Sequence, residues 1–121
     1  TELKVDAALS ARGATTDFVR DIERAGPFGA GNAQPVFAFP AHRVKFAEVA
    51  GAGGHVRFTL AADDGARLKA IAFRAAQTPL GQALLAAGDR PVHVAGGLTL
   101  DHYQGREQVQ LRVSDAADPS A

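Results

Sequence analysis

Val36-Phe37-Ala38-Phe39-Pro40-Ala41-His42-Arg43-Val44-Lys45-Phe46-Ala47-Glu48-Val49 alternates like a long strand but changes register partway along. Phe37 and Phe39 share one parity; Val44 and Phe46 share the other. Strand side chains alternate strictly between two faces, so a straight strand cannot bury both sets. Pro40-Ala41 lies where the switch must fall, and proline lacks a ladder N–H, so a bulge or bend is expected there. A first strand bent this way can serve both halves of a small closed barrel.

Upstream, Pro27-Phe28-Gly29-Ala30-Gly31-Asn32 reads as a tight structural turn. Its glycines accept backbone angles that other residues resist, and Asn32 tolerates the left-handed region. Phe28 and Phe37 flank the turn, so it is expected to dock on a core. Before it, Thr15 to Ala25 reads as a helix with Thr15 or Thr16 as N-cap and Asp17 in the first turn, stopped at Gly26-Pro27. Its apolar face is Phe18, Val19, Ile22 and Ala25. Thr1 to Ser10 alternates weakly and suggests a short leading strand.

Downstream, His55 to Ala61 alternates cleanly, with Val56, Phe58 and Leu60 inward and His55, Arg57 and Thr59 outward. Asp63-Asp64-Gly65 marks a hairpin turn. Leu68 to Phe73 has two equally plausible apolar faces, Leu68, Ala70 and Ala72 or Lys69, Ile71 and Phe73. Thr78-Pro79 opens a second helix that ends at Gly88. Pro91 to Leu100 is a strand loosened by Gly96-Gly97. After the loop Asp101 to Gly105, a last strand carries Val109, Leu111 and Val113 inward, and 116–121 reads as a polar tail.

This order, three strands, a helix and two strands, with the first strand bent, predicts a mainly β fold: a five-stranded OB-fold-like Greek-key barrel over 36–115, with its helix between strands 3 and 4. Residues 1–35 supply a preceding strand, helix and connector. An open antiparallel sheet crossed by one helix is the alternative.

The totals narrow the function. The 121 residues with 46% hydrophobic and 21% charged content fit one globular domain. With no cysteine there are no disulfides and no thiolate chemistry. Net charge is zero, which excludes a whole-molecule pull toward nucleic acid, although 36–115 carries nine Lys and Arg against seven Asp and Glu. No apolar run reaches membrane-spanning length, so an intracellular chain is expected. The absence of methionine suggests a piece of a longer protein.

The turn motif, with Pro35 and Phe37, resembles the PFGxGNPxPxF signature of the RecJ family, bacterial exonucleases specific for single-stranded DNA. Three further blocks follow in the family's order: Gly54-His55-Val56-Arg57-Phe58, Ala70-Ile71-Ala72-Phe73, and Gly105 through Val109-Gln110-Leu111 to Asp115. The resemblance spans about Val5 to Asp115 and departs at Ala33, Asp101 and Tyr103, where proline, asparagine and tryptophan are usual. It implies the OB-type domain near the C-terminus of a 5′–3′ exonuclease of DNA repair and recombination in the bacterial cytoplasm. The family's nuclease domains hold Mn or Mg with motifs including Asp-His-His, which does not occur here.

An OB barrel holds a single strand with basic residues along the backbone and aromatic rings under the bases. Contacts come from the middle strands and the loops at their ends. Candidate nucleic-acid-binding residues are therefore His55, Arg57, Arg67, Lys69, Tyr103 and Arg106, with Tyr103 as the stacking residue. Pro27, Phe28, Gly29, Gly31 and Asn32 are assigned a structural role only. Glycine loops that cradle phosphate run from strand into helix, whereas this one leaves a helix. His42, His55, His93 and His102 stand singly without metal-ligand spacing. No catalytic constellation is present, so neither enzyme activity nor a cofactor is expected of this piece alone. The expected partners are single-stranded DNA and the parent's nuclease domains. The rival expectation is an architectural or interaction element, clamping the nuclease domains or docking a partner such as the single-strand-binding protein.

Overall fold

The computed structural model describes residues 4–26 and 33–119. The turn at Pro27, Phe28, Gly29, Gly31 and Asn32 lies outside the described residues. In chain order the elements are β1 (Ala7–Ala8), a single 3-10 turn (Ala11–Gly13), α1 (Thr16–Arg24), β2 (Phe37–Ala50), β3 (His55–Ala61), β4 (Arg67–Ala72), α2 (Pro79–Leu85), β5 (Pro91–Tyr103) and β6 (Arg106–Ala117).

β2 organises the barrel. Its first half pairs antiparallel with β5 and its second half with β3. β3 continues to β4 and β5 to β6, both antiparallel, and a short parallel seam of β4 on β6 closes the ring. The helix between the third and fourth barrel strands is α2, as the sequence order predicts.

The expected bend is present. The β2–β5 register shifts between Phe39 and His42, and Ala41 takes a left-handed φ of 53°. Two histidines hold this corner. His93 Nδ1 accepts the Ala41 N–H at 2.9 Å, and buried His42 accepts the Ala11 N–H on Nε2 at 3.0 Å. With Nε2 accepting, the neutral ring carries its proton on Nδ1 and donates it to the Pro40 carbonyl at 2.8 Å. The bend and the N-terminal segment are thus fastened to each other.

A second bulge, absent from the sequence reading, shifts the β2–β3 register between Lys45 and Glu48, with Phe46 at φ 58°. It corrects the placement of Phe46. Val44 turns into the core as expected, but Phe46 is thrown outward and is 73% exposed.

Phe39, Phe58, Leu60, Val56, Val94 and Leu111 fill the barrel, and Val19 of α1 and Leu84 of α2 are buried in the same core. The Thr15 hydroxyl caps α1 by accepting the Phe18 N–H, and the Phe18 ring meets Phe37 edge-on at 5.6 Å. On β4 the open choice resolves: Leu68, Ala70 and Ala72 are buried, so Lys69, Ile71 and Phe73 take the outer side.

Three local expectations need correction. The leading strand is only Ala7–Ala8, paired parallel with Phe37–Ala38, because few residues there have a ladder partner. The C-terminal stretch is strand as far as Ala117, which pairs with His93. Gly96 marks close approach rather than looseness: an added Cβ would lie 2.1 Å from the Arg112 carbonyl oxygen, where the β5–β6 register shifts.

Candidate nucleic-acid interface

Directly paired residues of neighbouring strands point to the same face, so the register defines the outer surface. One row runs Thr59, Lys69, Gln110 and Thr99 across β3, β4, β6 and β5. The next runs Glu48, Arg57, Ile71 and Arg112 across β2, β3, β4 and β6. Tyr103 and Arg106 pair at the tip of the β5–β6 hairpin.

A groove of about 570 Å³ crosses this face, with Phe46, Arg57, Thr59, Lys69, Tyr103 and Gln110 among its lining residues. A second hollow, lined in part by Phe46, Thr59, Arg67 and Lys69, continues it toward the start of α1. Three aromatic rings surround the surface: Phe46, Tyr103 (57% exposed) and Phe73 (50% exposed). They are the aromatic members of the exposed large hydrophobic residues among those described. Two of them carry cations. The Arg67 guanidinium stands 5.7 Å over Phe46 and that of Arg112 stands 5.4 Å over Phe73.

The charges on this face are available to a ligand. Arg12, Arg20, Arg24, Arg43, Lys45 and Arg57 form ion pairs with carboxylates. Arg67, Lys69, Arg106 and Arg112 have no carboxylate partner among the described residues. Arg57 is the exception on the face. Its hydrogen bond to Glu48, and then that carboxylate's charge, raise it above the ordinary guanidinium value.

The structure brings most of the sequence candidates together. Arg57, Lys69 and Tyr103 line one groove, and Arg67 shares the adjoining hollow with Lys69. Arg106 stands across from Tyr103 at the hairpin tip, outside the groove lining. His55 is set apart: its Nδ1 accepts the Arg74 N–H at 2.8 Å, and its ring meets Phe73 edge-on at 5.2 Å. It braces the β2–β3 loop against the end of β4.

Sequence reasoning did not single out Phe46, Phe73, Arg112, Gln108 or Gln110 on this side of the barrel. Phe73 follows once Leu68 and Ala70 are known to face inward. Phe46 had no signal, because its position depends on the second bulge. Among the described residues no cluster of His, Cys, Asp or Glu could hold a metal ion, and no helix is long and apolar enough to cross a membrane.

A closed five-stranded barrel with a bent first strand, a helix between strands three and four and a basic, aromatic outer face is an OB fold. Within that class the chain belongs to the RecJ OB domain family, whose model matches residues 5–115. The fold is that of two crystal structures of RecJ from Thermus thermophilus, in complex with Mg2+ and with Mn2+. Each is 23% identical to this chain, with TM-scores of 0.69 and 0.70, and each covers 99% of it. The chain in turn spans 17% and 16% of those RecJ chains. The second single-stranded DNA-binding protein (SSBb) of Mycobacterium smegmatis is also similar, at 17% identity and a TM-score of 0.52, over 70% of this chain and 87% of that one. No curated protein matches the sequence.

Proposed function

We propose that this domain grips single-stranded DNA for a RecJ-like 5′–3′ exonuclease whose metal-dependent active site, using Mg2+ or Mn2+, lies in other domains of the parent in the bacterial cytoplasm. The carrying observation is that carboxylate-free cations and exposed rings share one outer face of a protein with no net charge. Arg67, Lys69, Arg106 and Arg112 follow the phosphates, while Phe46 and Tyr103 stack bases without regard to sequence. His55 acts indirectly, by holding the loop and Phe73 in place.

The test is fluorescence anisotropy with a labelled single-stranded oligonucleotide and its duplex, each at low and raised salt. Preferential, salt-sensitive binding of the single strand is the expected result. No binding of either at low salt would overturn the assignment and leave an architectural role against the neighbouring nuclease domains, or docking of the single-strand-binding protein. Of the apolar corner invoked for that role, Phe37 is buried against Phe18 and so offers no exposed surface to a partner.

A further inference from the structure

The hollow beside the start of α1 holds a polar group that the fold does not use. Thr59 is only 8% exposed, lines both grooves, and its hydroxyl makes no hydrogen bond among the described residues. Among the described residues no buried side-chain oxygen lacks a partner, so the Thr59 hydroxyl itself opens onto this space, where a ligand can reach it. The hollow encloses about 480 Å³ and is also lined by Thr16, Arg67, Lys69, Glu107 and Gln108.

Three further features select the charge of its occupant. The nine-residue α1 begins at this wall. The Thr15 hydroxyl takes the Phe18 N–H and the Thr15 carbonyl takes that of Val19, which leaves the Thr16 and Asp17 N–H groups at the positive end of the helix. Arg67 and Lys69 add two cations without carboxylate partners among the described residues. The two nearby acids are both engaged by one guanidinium, Asp17 at 3.2 Å from Arg20 and Glu107 in contact with it.

We propose that this hollow is a phosphate subsite, where one phosphate of the strand is held by the Thr59 hydroxyl, the Lys69 ammonium, the Arg67 guanidinium and the first N–H groups of α1. This rests on the single-strand reading above and deepens it. The strand then runs from the Tyr103 end of the groove, past Phe46, to a fixed anchor at the head of α1.

The test is amide NMR of the full chain, titrated at constant ionic strength with inorganic phosphate against chloride, then with a thymidine oligonucleotide bearing a 5′-hydroxyl or a 5′-phosphate. Phosphate and oligonucleotide are both expected to move the amides of Thr16, Asp17, Thr59 and Lys69. Shifts with the 5′-hydroxyl strand identify an internal phosphodiester, and shifts that need the 5′-phosphate identify a terminal one. Thr59→Val should weaken oligonucleotide binding roughly tenfold, the low end for a hydrogen bond to a charged group. Lys69→Gln, at an exposed position, guards against a packing defect in that variant and should also diminish the α1 shifts. Phosphate shifts that no oligonucleotide reproduces would mean an adventitious ion only and overturn the subsite. Oligonucleotide shifts confined to the Tyr103 groove would overturn it while leaving single-strand binding intact. No response to any oligonucleotide would overturn both.

Discussion

If the unpaired cations of the outer face take up phosphates, affinity must depend on salt in a countable way. Each phosphate neutralised on a single strand contributes about −0.7 to the slope of log K against log salt concentration. Arg67, Lys69, Arg106 and Arg112 are the cations of this face without carboxylate partners among the described residues. Together they give a slope of about −2.8, so a fourfold rise in salt should lower affinity about fiftyfold. Lys69→Ala should flatten the slope by about 0.7. Arg24→Ala, which removes an α1 cation already paired with Asp21 at 2.9 Å, should leave it unchanged. Glu48→Gln frees Arg57 from its carboxylate. An exposed ion pair is weak, so affinity should rise by no more than about fivefold. Anisotropy titrations at four or five salt concentrations read all of these. A wild-type slope shallower than about −1, or equal changes from Lys69→Ala and Arg24→Ala, would refute the assignment of this face.

Other perturbations probe other parts of the molecule. Phe46→Ala and Tyr103→Ala should each weaken oligonucleotide binding by about 1–3 kcal/mol with little change in salt slope, since stacking releases no counterions; both rings are exposed, so thermal stability should move little. Gly96→Ala forces β5 from β6 against the Arg112 carbonyl and should lower thermal stability by several degrees, read by circular dichroism. Asp64 is held below the usual carboxylate value first by the Ala66 N–H and then by Arg12. A carboxyl lowered on folding stabilises the protein above its unfolded value, near 3.8, and that contribution disappears as the pH falls through the lower folded value. Asp64→Asn should therefore show a smaller loss of stability than wild type on acidification below about pH 4, measured by urea unfolding.

How much of this was legible depended on whether a residue's place followed from its own neighbours. The Pro40-Ala41 bend was visible because the conflict between Phe37/Phe39 and Val44 forces one, and proline marks where. The starts of both helices were visible, at Thr15 or Thr16 and at Thr78-Pro79, and in the structure Thr15 and Thr78 each accept an N–H three residues on. Arg57 was found because the alternation on β3 is clean, whereas Lys69 was named on a strand whose two faces the pattern alone left open. The second bulge was hidden, since Lys45-Phe46-Ala47-Glu48 carries no glycine or proline to declare it. With it went Phe46, and hence the aromatic wall of the groove. Thr59 looked like an ordinary outward residue, because its burial comes from neighbours brought together only by barrel closure. His55 looked like a surface contact for the converse reason: its partners, the Arg74 N–H and Phe73, lie on the next strand's far end.

The two bulges make β2 a strand whose length is as informative as its composition. Each inserts one residue relative to a partner strand, the first against β5 and the second against β3. Loss of one residue at Pro40-Ala41 would turn His42 and Val44 toward solvent and break the fastening of the N-terminal segment. Loss of one at Phe46-Ala47 would leave the core half of β2 untouched but swing an aromatic ring from the groove into the barrel wall. A single-codon deletion at the second site therefore separates the two tasks of the strand, sparing closure while removing the surface that would meet a base.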